Sequence, residues 1–293
     1  MTSRAPRARL YLRLGRVSNL PTVWTNVLAG TVLAGATVEL ATSLRLMLAI
    51  SLFYVGGMFL NDAFDRRIDA RERPERPIPS GAISAVEVFF VGFSLLGIGL
   101  TGLVWNAAAR SESLLPSVES GAILAVLVIL YDAWHKENPL SPVVMGLCRA
   151  GVYITAGLAA GGSLTRELVV GASVLAAYVV GLTFVARQEN RKSYRAGTTL
   201  LLIASPVVFA AFDLRLGLVG WGMLVLFAGW VVASLRPLFG PSPVVPRAVV
   251  RLIAGISLVD ALVMAGAGAP LGAVFGGAGL AATFGLQRWV SGT

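Results

Sequence analysis

Apolar residues in this chain fall in long blocks, and the charged residues collect in the gaps between them. A helix needs about 20 apolar residues to cross the hydrocarbon core of a bilayer. Blocks of that kind lie near 18–37, 43–61, 85–105, 117–134, 140–161, 167–186, 199–213, 215–235 and 247–268, and they predict nine transmembrane helices. A tenth, weaker block at 271–286 is rich in Gly and Ala and reads as a short span, a re-entrant piece or a packed terminal helix. Pro74, Pro77 and Pro79 stop a helix from continuing through the centre of the 62–84 loop. Ser84 followed by Glu87 reads as a capping box that opens the third helix.

Composition agrees with the blocks. The 293 residues are 56% hydrophobic and 13% charged, against about 25% charged in a soluble domain. The expected fold is a single all-α integral membrane domain over 1–293, and the expected location is the cell (inner) membrane. One cysteine, Cys148, excludes a disulfide within the chain. Arg4, Arg7, Arg9, Arg13 and Arg16 imitate the basic start of a signal peptide, but the apolar run that follows is long and more spans succeed it. It reads as a retained first transmembrane helix.

The formal net charge of +9 invites a nucleic-acid reading, and the distribution of charge removes it. With the N-terminus on one side, eighteen Lys and Arg fall in the loops of that side and five on the other: Arg45, Arg110, Arg166, Arg215 and Arg288. Arg149 lies within a span. By the positive-inside rule the basic N-terminus (1–17) and the 62–84 and 187–198 loops are cytoplasmic.

The 62–84 segment also holds the concentrated chemistry. Of the chain's 15 acidic residues, five lie between 62 and 75. If the entry to this stretch is helical, Asn61, Asp65 and Asp69 lie at i, i+4, i+8 and share one face, with Asp62 at its edge. A row of carboxylates repels itself unless a cation lies between them, so the pattern points to a divalent metal with oxygen ligands. Five arginines in the same segment point to an anion beside the metal, with phosphate as the expected one. The plainer alternative is a charged loop between two membrane helices.

The run from Asn61 through Asp65 and Asp69 to Arg73-Pro74-Glu75-Arg76-Pro77-Ile78-Pro79-Ser80-Gly81 resembles the first motif of the UbiA superfamily of intramembrane prenyltransferases. Arg16-Val17-Ser18-Asn19-Leu20-Pro21-Thr22 is similar to that family's opening segment, and Tyr131–Lys136 to its Tyr-x-x-x-basic-basic motif. The resemblance implies about nine transmembrane helices around a central cavity. It implies Mg2+ as cofactor, an isoprenyl diphosphate as donor and a small-molecule or lipid acceptor within the bilayer. Asp65 and Asp69 would be catalytic. Asn61, Arg73, Arg76, Tyr131 and Lys136 would bind the diphosphate, and Asn26, in the first span near Trp24, would face the acceptor. The family's second acidic motif is altered here: Glu189 and Ser193 stand where two aspartates are expected, in a loop with one acid and four bases. Glu189 is the candidate residual ligand, completing a metal set of Asn61, Asp65, Asp69 and Glu189; a loop salt bridge competes for it. This altered motif looks most like the EboC-type branch.

His135 competes between the site and an interfacial position beside Trp134. Arg149 and Asp260, both within spans, read as a structural pair or as cavity lining. A transport or export protein that kept the fold and lost prenyl transfer is the alternative function. It would place polar residues at the membrane midplane, often in inverted repeats, whereas the polar cluster here sits at helix ends. Mg2+-dependent binding of an isoprenyl diphosphate is expected to require Asp65 and Asp69. Alanine at both positions that left binding and turnover intact would remove the metal assignment.

Overall fold

In the computed structural model, residues 7–136, 138–188, 197–212, 216–239 and 243–290 are described, and no strand occurs among them. The helices are α1 (Arg7–Leu14), α2 (Leu20–Leu33), α3 (Leu40–Glu72), α4 (Ala85–Ala109), α5 (Leu115–Trp134), α6 (Ser141–Ala159), α7 (Arg166–Ala186), α8 (Gly197–Ile203), α9 (Ser205–Phe212), α10 (Leu218–Leu235), α11 (Val245–Gly266) and α12 (Pro270–Leu286). Seven of these segments are long and apolar enough to cross a membrane. They are α3 to α7, the Leu218–Leu238 stretch that α10 opens, and α11. The other apolar blocks form α2, α12 and the pair α8–α9. Exposed apolar side chains such as Phe90 and Phe93 of α4 and Leu44 and Leu48 of α3 cover the outside. The chain is a multi-pass integral membrane protein.

Three boundaries differ from the sequence expectation. The helix expected to end at 61 continues to Glu72, so the acids at 62, 65 and 69 lie on helix and the loop begins at Arg73. Nothing breaks the helix before Pro74, whose ring pushes the preceding residue out of the helical region; Arg73 accordingly sits at φ −144, ψ 63. The 199–213 block is divided between α8 and α9. Pro206 has no N–H to give the preceding turn, and its ring crowds the carbonyl four residues back. Finally, Gln287 just beyond α12 donates to Asn19 Oδ1 at 3.0 Å and to the Val250 carbonyl at 3.2 Å. The end of α12 therefore lies beside the start of α2 and the first turns of α11, which moves Arg288 to the arginine-rich end of the bundle.

The expected cap of α4 is half made. Ser84 Oγ accepts from the Glu87 N–H at 3.1 Å, but the Glu87 carboxylate takes the Tyr11 hydroxyl of α1. That carboxylate raises the Tyr11 phenol above its ordinary pKa and ties the N-terminal helix to the entrance of α4.

Two large apolar cores organise the bundle. One joins α2, α6, α7, α8, α10 and α11; the other joins α2, α3, α4, α5 and α6. Association in lipid has no hydrophobic drive and relies on close packing of small residues. At the α2–α6 crossing a Cβ on Gly30 would lie 2.4 Å from the Tyr153 carbonyl oxygen. Valine at Gly30 is expected to cost about 1–3 kcal/mol by forcing the two helices apart. It should lower the unfolding midpoint in detergent, while alanine at Gly97, which has open space around it, leaves the midpoint in place.

Candidate active site

A cavity of about 520 Å3 runs into the bundle between the two cores. Its walls come from α2, α3, α5, α6, α7 and α11, and it divides by chemistry along its length. Ile50, Phe53, Leu124, Val128 and Val152 line an apolar interior. Asn61, Asp65, Arg73, Arg76, Asp132 and Lys136 line the end where α3 and α5 leave the hydrophobic layer.

The helical spacing of the acids on α3 is as expected, and their partners are specific. Asp62, Asp65 and Asp69 are 9%, 5% and 2% exposed. Carboxylates that deeply buried are costly unless paired. Arg76, delivered by the loop after α3, reaches Asp69 at 3.0 Å and Asp62 at 3.3 Å through one Nη1. Arg16 approaches Asp62 at 3.5 Å. Asp65 receives His135 Nε2 and Lys136 Nζ, each at 3.4 Å, from the end of α5.

Three of the residues singled out in the sequence therefore stand apart from the rest. Asp69 is engaged by Arg76 and does not line the cavity, while Asn61 and Asp65 do. Asn26 is fully buried and also absent from the cavity wall; its amide lies behind Arg149, whose Nη1 donates to Asn26 Oδ1 at 2.9 Å. Glu189, and with it most of the 187–198 loop, lies outside the described residues. Arg73, Arg76, Tyr131 and Lys136 all reach the cavity. Tyr131 stacks on His135 with ring centroids 4.9 Å apart and planes at 16°. His135 thus faces the site, while Trp134 is 58% exposed on the outside. The expected pair of Arg149 and Asp260 does not meet: Asn26 lies between them, donating to both Asp260 oxygens at 2.8 and 2.9 Å.

Sequence reasoning passed over Asp132. It is 3% exposed and lines the cavity beside Asn61, whose amide donates to its Oδ1 at 3.2 Å. Its Oδ2 is buried with no hydrogen-bond partner among the described residues. The signal was present as spacing: Asp132, in the last turn of α5, stands four residues before Lys136, as Tyr131 does before His135.

These positions bear on a divalent metal. No cluster of three His, Cys, Asp or Glu side chains exists among the described residues, so a ready-made cage is absent there. What the cavity offers is two carboxylates, Asp65 and Asp132, and the Asn61 amide oxygen. Mg2+ is held by one or two carboxylates together with substrate phosphates and water, and the unpartnered Asp132 oxygen is a donor of the right hardness. The residues fit that ion.

Residues 22–256 match the UbiA prenyltransferase family. A digeranylgeranylglyceryl phosphate synthase of Methanopyrus kandleri is 31% identical over 155 residues, 52% of this chain and 54% of that protein. The chain spans about half the length of the curated relatives it matches first. Among solved structures, a UbiA homolog from Aeropyrum pernix K1 aligns with a TM-score of 0.58 at 16% identity, covering 91% of this chain and 96% of that one. A UbiA homolog from Archaeoglobus fulgidus bound to GPP and Mg2+ aligns with a TM-score of 0.51 at 13% identity, covering 95% and 99%. These likenesses establish the fold, and none of the three singles out the EboC-type branch.

Alanine at Arg76 leaves Asp62 and Asp69 without their shared cation. Breaking a buried pair costs about 3–5 kcal/mol, and Arg76 is partly open, so a loss of roughly 1–3 kcal/mol is expected from a discounted version of that range. Asn at Asp69 in the same chain should return part of it. A melting series of the two single variants and the double variant checks this, and strict additivity would contradict the pairing.

Proposed function

The chain belongs to the UbiA prenyltransferase family, and on that premise we propose that it transfers an isoprenyl group from an isoprenyl diphosphate to a small or lipid-like acceptor within the membrane. One observation carries the reading. A single cavity joins an apolar interior to an end that gathers Asn61, Asp65 and Asp132 with Arg73, Arg76 and Lys136. A diphosphate with a hydrocarbon tail has the same division into an anionic head and an apolar body.

In this reading Asn61, Asp65 and Asp132 would hold Mg2+, which when bound would neutralise charge developing on the departing diphosphate. Arg73 and Arg76 grip the phosphate oxygens, as planar guanidinium groups suit bidentate anion contacts. His135 and Lys136 pair with Asp65 at 3.4 Å and line the end of the cavity that the diphosphate would occupy. Tyr131, stacked on His135, fixes the ring in that position. Asp69 acts through Arg76: it orients the guanidinium and is a positioning residue. The apolar walls keep water from the allylic cation until the acceptor captures it. The arginine-rich end of the bundle is assigned to the cytoplasm, on the strength of the asymmetry of Lys and Arg between the two ends.

Purified protein incubated with labelled geranyl, farnesyl and geranylgeranyl diphosphates, with and without Mg2+, tests the reaction. Diphosphate release from at least one donor, dependent on Mg2+, is expected. Asp132→Asn is expected to weaken Mg2+-dependent binding of that donor roughly tenfold, about 1.4 kcal/mol, as read by calorimetry. Release from none of the three donors would overturn the enzyme reading in favour of a carrier that kept the fold.

A further inference from the structure

Helix α1 has two faces of opposite chemistry, and neither lines the cavity. Its inner face packs on the bundle: Leu14 is buried, and the Tyr11 ring lies 5.5 Å from that of Phe59 on α3. Tyr11 donates its hydroxyl to the Glu87 carboxylate, and Arg7 approaches the same carboxylate at 3.5 Å. The outer face carries Arg9, Leu12 and Arg13, at i, i+3 and i+4 on one stripe, and all three are exposed. Among the described residues neither Arg9 nor Arg13 takes part in a salt bridge. Two like charges one helical turn apart repel each other when no anion lies near.

Glu87 fixes the height of this stripe. It is the third residue of α4, a helix of membrane length whose first turns leave Val86 and Phe90 79% and 72% exposed. Apolar side chains that open, on a helix able to span a bilayer, face lipid tails. Helix α1 is therefore tied to the turn where α4 enters the hydrocarbon layer, which is the level of phospholipid headgroups. The outer stripe suits that level. A helix lying in the interface sets cationic side chains against phosphates and an apolar one toward the acyl boundary. Arginine stems are long enough to reach headgroup oxygens from there, and Leu12, 46% exposed between the two arginines, meets the apolar side. A soluble acidic partner would call for the charges but not for a leucine set among them.

We propose that the outer face of α1 is a docking surface for the headgroups of anionic phospholipids in the adjoining leaflet. The same helix ends at the turn that delivers Arg16 to the cavity wall, so the surface adjoins the entrance. The inference stands on the placement of α1 and is independent of the prenyl-transfer reading.

Native mass spectrometry of the full-length protein tests it, with phosphatidylglycerol and phosphatidylcholine of identical acyl chains supplied at equal concentration. Each arginine near an anionic surface contributes about fivefold, so the wild type is expected to hold phosphatidylglycerol roughly tenfold or more tighter. Arg9→Gln combined with Arg13→Gln is expected to lose most of that preference. Arg166→Gln combined with Arg288→Gln removes the same charge from other exposed positions and is expected to keep it. Arg9→Lys combined with Arg13→Lys retains the charge and is expected to retain the preference, which separates lost charge from a lost helix. Glycerol 3-phosphate, a headgroup without tails, is expected not to displace the bound lipid; displacement at equal concentration would make this a free-phosphate site and overturn the lipid assignment. No preference in the wild type, an undiminished preference in the Arg9→Gln, Arg13→Gln variant, the same loss in the Arg166→Gln, Arg288→Gln control, or a loss in the Arg9→Lys, Arg13→Lys variant overturns it as well.

Discussion

Buried carboxylates at the end of a membrane helix are the constraint on which the rest of this structure depends. Asp62, Asp65 and Asp69 on α3 and Asp132 on α5 are each at most 9% exposed. The three on α3 are tolerable there because side chains from elsewhere pair with them, whereas Asp132 accepts from the neutral Asn61 amide. The partners of the α3 acids come from separate parts of the chain: the cations Arg16 from the turn before α2, Arg76 from the proline-rich loop and Lys136 from just beyond α5, with the His135 ring beside Lys136. Arg16 adopts a left-handed backbone, φ 43, at the turn that brings it to Asp62. That conformation is uncommon for a residue with a Cβ and costs of order 1 kcal/mol. One electrostatic requirement thus draws four segments to the same place.

Below that layer the bundle is organised by contact distance. Glycines at the α2–α6 and α11–α12 crossings let backbones approach: a Cβ on Gly276 would stand 2.6 Å from the Ser257 carbonyl oxygen. Around Asn26, polar groups of α2, α6 and α11 meet in a buried hydrogen-bond network. Glycine contacts set how near the helices lie, and this network fixes their register. Together they hold open a cavity whose two ends differ in polarity, which is the property that any head-and-tail substrate requires.

Most of the fold was legible in the sequence because a bilayer imposes a length on apolar blocks. All ten blocks correspond to helix, and the places of disagreement have local causes. The sequence blocks mark where hydrophobicity ends, and α3 continues until Pro74 because hydrogen bonding, not hydropathy, ends a helix. Arg288 changed ends because α12 packs antiparallel on α11 through glycines, a tertiary preference that a hydropathy count does not contain. For the site, the spacing of Asn61, Asp65 and Asp69 put them correctly on one stripe. Which of them faces the cavity depends on Arg76, which returns from the loop to take Asp69. Contacts between segments are not written in the local pattern, so Asp132 escaped notice and Asn26 was expected one layer too far forward.

The altered loop around Glu189 raised the question of what replaces a second acidic motif. On the proposed reading Asp132 would take that place from a different element: its carboxylate accepts from the Asn61 amide and is unpartnered at Oδ2 among the described residues. The most direct measurement is the anomalous scattering of Mn2+ in the protein soaked or frozen with an isoprenyl diphosphate. The account predicts a Mn2+ peak at the entrance of the cavity, within coordination distance of Asp65 and Asp132 and in contact with the diphosphate. A peak coordinated by Asp62 or Asp69 without Asp132, or diphosphate bound at the entrance with no metal beside it, would contradict it.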